Sequence, residues 1–140
     1  MSRPTDTKSA LTFRLALRRY ALSLRGTSGV QDLGAVRRIP DAPWPWLGLA
    51  DWGGRVLNVI DLPNVLEDAA IEPVKSLVRL HEPHDGIAVF IPARLGLCEL
   101  TPPRDPAGAA LYTALRGGKD ALHWIHLDAI MEACSVAASA

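Results

Sequence analysis

At 140 residues, with 49% apolar and 21% charged side chains, the chain has the composition of a folded globular protein and not of a disordered one. Its 15 Lys and Arg balance its 15 Asp and Glu, so bulk charge draws it neither to nucleic acid nor to an anionic membrane surface. Two distant cysteines, Cys98 and Cys134, argue against a disulfide framework, while a polar start (MSRPTDTKSA) and no apolar run near the roughly 18–20 residues of a membrane span point to the cytoplasm.

Residues 1–10 are polar and read as a mobile tail. The pattern then takes a period of two: Phe13, Leu15 and Leu17, then Tyr20, Leu22 and Leu24, predict a β-hairpin around Arg18-Arg19 with one buried face. The turn type stays open, because an Arg pair is not a favoured turn sequence. After the polar stretch RGTSG, VQDLGAVRRI reads as a brief helical turn and a strand. PDAPWPW is too proline-rich for regular structure. LGLADWGGRVLNVIDL predicts a second hairpin turning at Gly53-Gly54, its VLNVI run nearly continuous in apolar residues as in a strand buried on both faces. PNVLEDAA reads as a short helix capped by Asp61, with Pro63 in its first turn. SLVRL and GIAVFI predict strands around EPHD, and TPPRDPAG a loop. LYTAL and ALHWIHL predict strands around Gly117-Gly118, and LDAIMEACSVAASA a closing helix.

LNVIDLPNVL (57–66) aligns without gaps to LHWIHLDAIM (122–131), and each copy follows a Gly-Gly pair. This reads as a pseudo-repeat. Two halves of about 60 residues would be marginal alone and should pack across a common core.

Chemistry finds little support. The histidines form two His-x-x-His pairs, His81/His84 and His123/His126, spaced for a turn and a strand, where residues three apart diverge; no metal site follows. No Gly-x-Ser-x-Gly elbow, P-loop or dinucleotide fingerprint is present. Cys98, in an apolar run, reads as a packed thiol. Neither a catalytic residue nor a cofactor is expected. Trp44 and Trp46 fit core packing and partner contact equally, whereas Trp52, beside a hairpin tip, is expected on a partner surface.

The order FRLALRRYALSL, VQDL, RRIPDAP, LGLADWGGRVLNVIDL resembles the CheW-like adaptors of bacterial chemosensory arrays. The family's motif Gly-x-x-Asn-Leu-Arg-Gly-x-x-x-Pro-x-x-Asp-Leu is met at Gly48, Gly54, Val59, Asp61 and Leu62, and LHWIHLDAIM resembles its closing strand and helix. The likeness runs from Leu11 to Met131, weakly over residues 92–110. It implies a mainly β fold with short helices: residues 11–140 as one domain of two pseudo-repeated, five-stranded β-barrels packed together. It also implies a non-enzymatic adaptor joining the cytoplasmic tip of a chemoreceptor to the regulatory domain of a histidine kinase, with no nucleic acid and no membrane insertion. By the same resemblance Val30, Asp32 and Leu33 fall on a receptor-binding segment, and Gly48, Trp52, Gly53 and Gly54 in or beside the interaction motif. For the two turn glycines, backbone geometry is the better explanation of the residue type, and both readings can hold together. The chain departs from the pattern at Asp51-Trp52 for Asn-Leu, Gly53 for Arg, Pro92-Ala93 for an acidic residue and His126 for Asp. The alternatives are an accessory adaptor of a pilus, polarity or localisation system with one standard interface, and, from another class, a small metal-binding protein or enzyme.

Overall fold

The computed structural model describes residues 7–32, 36–38, 41, 43–103, 110–115 and 121–139. Among them the strands are β1 (Lys8–Arg14), β2 (Arg19–Ser23), β3 (Thr27–Asp32), β4 (Val36–Arg38), β5 (Trp46–Trp52), β6 (Arg55–Asp61), β7 (Ser76–Leu80), β8 (Ile87–Ile91), β9 (Gly96–Leu100), β10 (Tyr112–Ala114) and β11 (Leu122–Ile125). Helix α1 (Leu62–Val65) follows β6 and helix α2 (Leu127–Ser139) follows β11, so the fold is mainly β.

The strands form two sheets, ordered β10-β11-β2-β1-β9 and β3-β7-β8-β6-β5-β4. The second has six strands where five were expected. Among the described residues neither ladder closes into a hydrogen-bonded barrel. With β4 set aside, the two sheets share one plan. In each, a hairpin (β1-β2 or β7-β8) takes a lone strand (β9 or β3) antiparallel on its first strand. Its second strand lies parallel to the end of another hairpin, β11 beside β2 and β6 beside β8.

The repeat does not divide the sheets by chain order. The first half places β1 and β2 in the first sheet and β3 to β6 in the second; the second half places β7 and β8 in the second sheet and β9 to β11 in the first. The halves thus exchange strands. The aligned decapeptides are strand followed by helix in both copies.

Burial follows the same plan. One shared core lies between the sheets, joining Leu11, Phe13, Tyr20, Leu22 and Ile125 of the first to Ile60, Val78, Leu80, Val89 and Ile91 of the second. Ile60 and Ile125, equivalent in the repeat, are both within it. Behind each sheet sits a smaller cluster: Ala50, Leu57, Val59, Leu77 and Ala88 in the second, Ala10, Ala21 and Trp124 in the first.

Gly53 and Gly54 have φ of 57° and 86°, and Trp52 pairs with Arg55 across them. Two left-handed residues closing a two-residue loop are the I′ turn that suits the twist of a hairpin. Gly54→Ala should cost about 1–2 kcal/mol, the ordinary penalty for an L side chain in this region. Urea denaturation checks it, and unchanged stability would mean the turn has another geometry.

Several expectations are corrected. Residues 8–10 of the expected tail already belong to β1, whereas 1–6 lie outside the described residues. Leu17 leaves the alternation and is 66% exposed, because the β1-β2 turn, closed by Leu15 N–H to the Arg18 carbonyl, spans residues 15–18. The expected helical turn at VQD is the end of β3, which a partner strand, β7, draws into the sheet. VLNVI alternates at first: Val56 is 63% exposed and Asn58 exposed, and both faces are covered only from Val59 onward. Asp61 occupies the N-cap position but its side chain makes no capping bond. Pro63 in the first turn lacks one of the N–H groups such a cap would serve. Strand β9 was not foreseen. Gly117-Gly118 lies outside the described residues, although Leu115 N–H donates to the Leu122 carbonyl on either side of it.

Candidate partner interface

Every described candidate contact residue lies in the second sheet. Val30 pairs with the fully buried Val78, yet is itself 46% exposed, because β3 is the sheet's outer strand and extends past the shared core. Asp32 ends β3 opposite Ser76. Leu33 lies outside the described residues. Gly48 is buried in β5 between Arg38 of β4 and Val59 of β6. Gly53 and Gly54 are exposed at the turn. Asp51, in the place of the family's Asn, accepts a 3.2 Å bond from Gly54 N–H and so holds the turn from its own side chain. Arg55 donates to Asp85 at 3.3 Å, tying the tip to the β7-β8 turn.

Trp52 does not stand free at the tip. It is half-buried, packed against the second-sheet cluster, with its ring over Gly29 of β3: a Cβ on Gly29 would fall 3.0 Å from Trp52 Cζ2. The sheet order separates β3 from β5 by three strands, so the sheet must roll until its two ends approach. Gly29 was missed, although a glycine inside a strand is a signal of close approach. Trp46 packs against the shared core, and Trp44 is exposed. A shallow groove of about 390 Å³ beside the turn is lined by Arg37, Leu49, Ala50, Asp51, Gly54 and Val56.

A polar cluster that went unread ties β2 and the β1-β2 turn to the connection after α1. Tyr20 of β2, fully buried, donates its hydroxyl to Asp68 Oδ2 at 2.8 Å and accepts from Arg18 at 3.1 Å. Asp68 Oδ1 also accepts from the Leu17 and Ala69 N–H groups, both at 2.8 Å. The Arg18 guanidinium lies 5.1 Å from the centre of the Tyr112 ring. Burial alone would raise the Asp68 carboxyl, but the Tyr20, Leu17 and Ala69 bonds and the nearby Arg18 outweigh it and hold the group below the usual carboxylate range. Burial likewise pushes the Tyr20 phenol up, strengthened by its bond to the carboxylate and only partly offset by Arg18. A phenol held protonated and a carboxylate held charged form a stable donor–acceptor pair. It is a brace.

The histidines do not converge. On β11, His123 Nδ1 donates to the Arg19 carbonyl of β2 at 3.1 Å, while just beyond the strand His126 Nε2 lies 2.6 Å from Thr113 Oγ1 of β10. His84 is half-buried and bonds Asp128 of α2 at 3.0 Å, bracing the β7-β8 turn. It borders a cleft of about 580 Å³ with His81, His126 and Glu132. No group of three or more His, Cys, Asp or Glu with metal-holding geometry occurs among the described residues. Burial pushes the Cys134 thiol up to about 11, whereas Cys98 is only partly covered. Iodoacetamide should therefore label Cys98 in the native protein and Cys134 only in denaturant; peptide mass mapping checks this, and native labelling of Cys134 would contradict it.

The family model of the CheW-like domain matches residues 9–91, more than half of the chain. No curated protein matches it. Among solved structures, the crystal structure of scaffolding protein TtCheW from Thermoanaerobacter tengcongensis is similar, with a TM-score of 0.70 and 17% identity over 86% of this chain and 84% of that one. At that identity the likeness speaks for the fold.

Proposed function

This chain belongs to the CheW-like domain family, and from that premise we propose that it is a cytoplasmic, non-enzymatic adaptor coupling a chemoreceptor tip to the regulatory domain of a histidine kinase. The family is a scaffold family, and its chemosensory setting supplies the two partner classes. The observation that carries the reading is the presentation of the two candidate segments on one sheet: the β3 edge bearing Val30, and the exposed Gly53-Gly54 turn beside Trp52. Asp51, Asp68, His84 and His126 serve turns, braces and strand ends, as befits a protein that works by its surfaces. No helix among the described residues is long and apolar enough to cross a membrane.

Titration of the protein against a receptor cytoplasmic tip and, separately, a kinase regulatory domain tests the proposal. Saturable binding to both is expected. One observation favours a second reading: the family's Arg is Gly53 here, which removes a guanidinium able to make bidentate bonds. An accessory adaptor of a pilus, polarity or localisation system would retain only one of the two interactions. Binding to neither partner would sink both readings.

A further inference from the structure

We infer that Trp52 is a positioning residue, a pin whose ring, seated on Gly29, locks the β3 edge to the β5-β6 tip and makes the two candidate segments one surface. The inference rests on the adaptor reading for its use, but not for its geometry. Gly29 adjoins Val30, and Trp52 adjoins the Gly53-Gly54 turn, so the contact lies one residue from each segment. Among the described residues no strand pairing joins β3 to β5 or β6; three strands separate it from β5 and two from β6. The indole reaches across that gap to where a side chain at Gly29 would start, with Cζ2, Cη2 and Cε2 at 3.0, 3.7 and 4.0 Å from a Cβ built there. A glycine admits the ring in this place, whereas any Cβ there would press on it and push it outward. The pair is matched in size, one large and one absent side chain. A surface assembled from two segments needs their spacing fixed before binding, because ordering them at the moment of contact weakens affinity. Trp52 thus shapes the surface from behind instead of entering a partner's pocket.

The test uses the full chain with Trp52→Ala, Gly29→Val and the double change. Gly29 does not occupy the left-handed region, and a β-branched residue suits a strand, so Gly29→Val displaces the ring without opposing the backbone. Amide hydrogen exchange is read first. Residues 29–31 should exchange at least tenfold faster in both single variants, while β1 and β2 keep their protection. Unchanged β3 protection in Trp52→Ala overturns the pin, whether or not any partner binds. Trp52→Leu replaces Trp52→Ala if the latter does not fold. Affinity for the kinase regulatory domain and for the receptor tip is then measured in separate arms. For at least one of them, each single change should weaken binding about tenfold, and the double change no further, since both act through one contact. If Trp52→Ala weakens binding and Gly29→Val leaves it within twofold, the ring meets the partner directly and the pin is wrong. If the wild type binds neither probe, the adaptor reading fails and hydrogen exchange alone decides the pin.

Discussion

Replacing Asp68 by Ala is expected to cost about 1.5–3 kcal/mol, the range for hydrogen bonds to a charged group, since the Arg18 left behind is partly exposed. The Asp68 side chain has no exposed surface and accepts bonds from the Tyr20 hydroxyl and from the Leu17 and Ala69 N–H groups. Without it, the Tyr20 hydroxyl loses its acceptor inside the shared core. The β1-β2 turn also loses a bond to the connection after α1, although Ala16 N–H still donates to the Ala69 carbonyl. Tyr20→Phe should be milder, about 1–2 kcal/mol, because the carboxylate keeps its backbone donors. Urea denaturation would rank them, and equal costs would show that the hydroxyl alone carries the brace. The pH dependence has a definite sign. A carboxyl held below its unfolded value contributes stability that is fully present above the ordinary carboxylate range and is lost as pH falls through the folded value. Asp68→Asn should therefore flatten the acid limb of the stability profile. An unchanged limb would place the acid sensitivity elsewhere.

The hairpins were legible because alternation and turn glycines are local signals: Gly53-Gly54 specifies its turn without reference to the rest of the chain. The repeat was legible because Ile60 and Ile125 meet the same environment. What escaped depends on distant neighbours. β3 has only weak local strand character in RGTSGVQD and becomes a strand by pairing with β7, nearly fifty residues later in sequence. The acceptor in the Arg18–Tyr20–Asp68 brace is 48 residues from Tyr20, and nothing near Asp68 marks it as more than a polar residue after a short helix. Trp52 was read as lying beside a tip on a partner surface; its packing over Gly29 was not legible, because the strand it covers pairs at the far end of the sheet. The six-to-five strand asymmetry follows from β4 on the β5 edge, where residues 36–38 find a ladder to extend.

The strand exchange between halves yields the second large expectation, from Ile60→Ala and Ile125→Ala. Both side chains are essentially fully buried in the shared core at equivalent places of the two copies. Each truncation should cost about 2–5 kcal/mol, the transfer term plus the cavity left behind. The size of the loss matters less than where it is felt. Ile125 sits on β11 of the first sheet, but that sheet also contains β1 and β2 from the other end of the chain, and its core face is completed by Ile60, Val78 and Val89 of the second. Neither half can release its strands without opening the other half's sheet. Unfolding should therefore be a single transition in both variants, shifted to lower urea with an unchanged slope. Two of the tryptophans report on the two sides separately: Trp124 lies in the cluster behind the first sheet and Trp52 packs against the cluster behind the second. With the other tryptophans changed to Phe, the emission of either one should give the same midpoint in Ile125→Ala. If the Trp124 signal moves at lower urea while the Trp52 signal stays at the wild-type midpoint, the sheets unfold independently and the exchanged strands do not couple them.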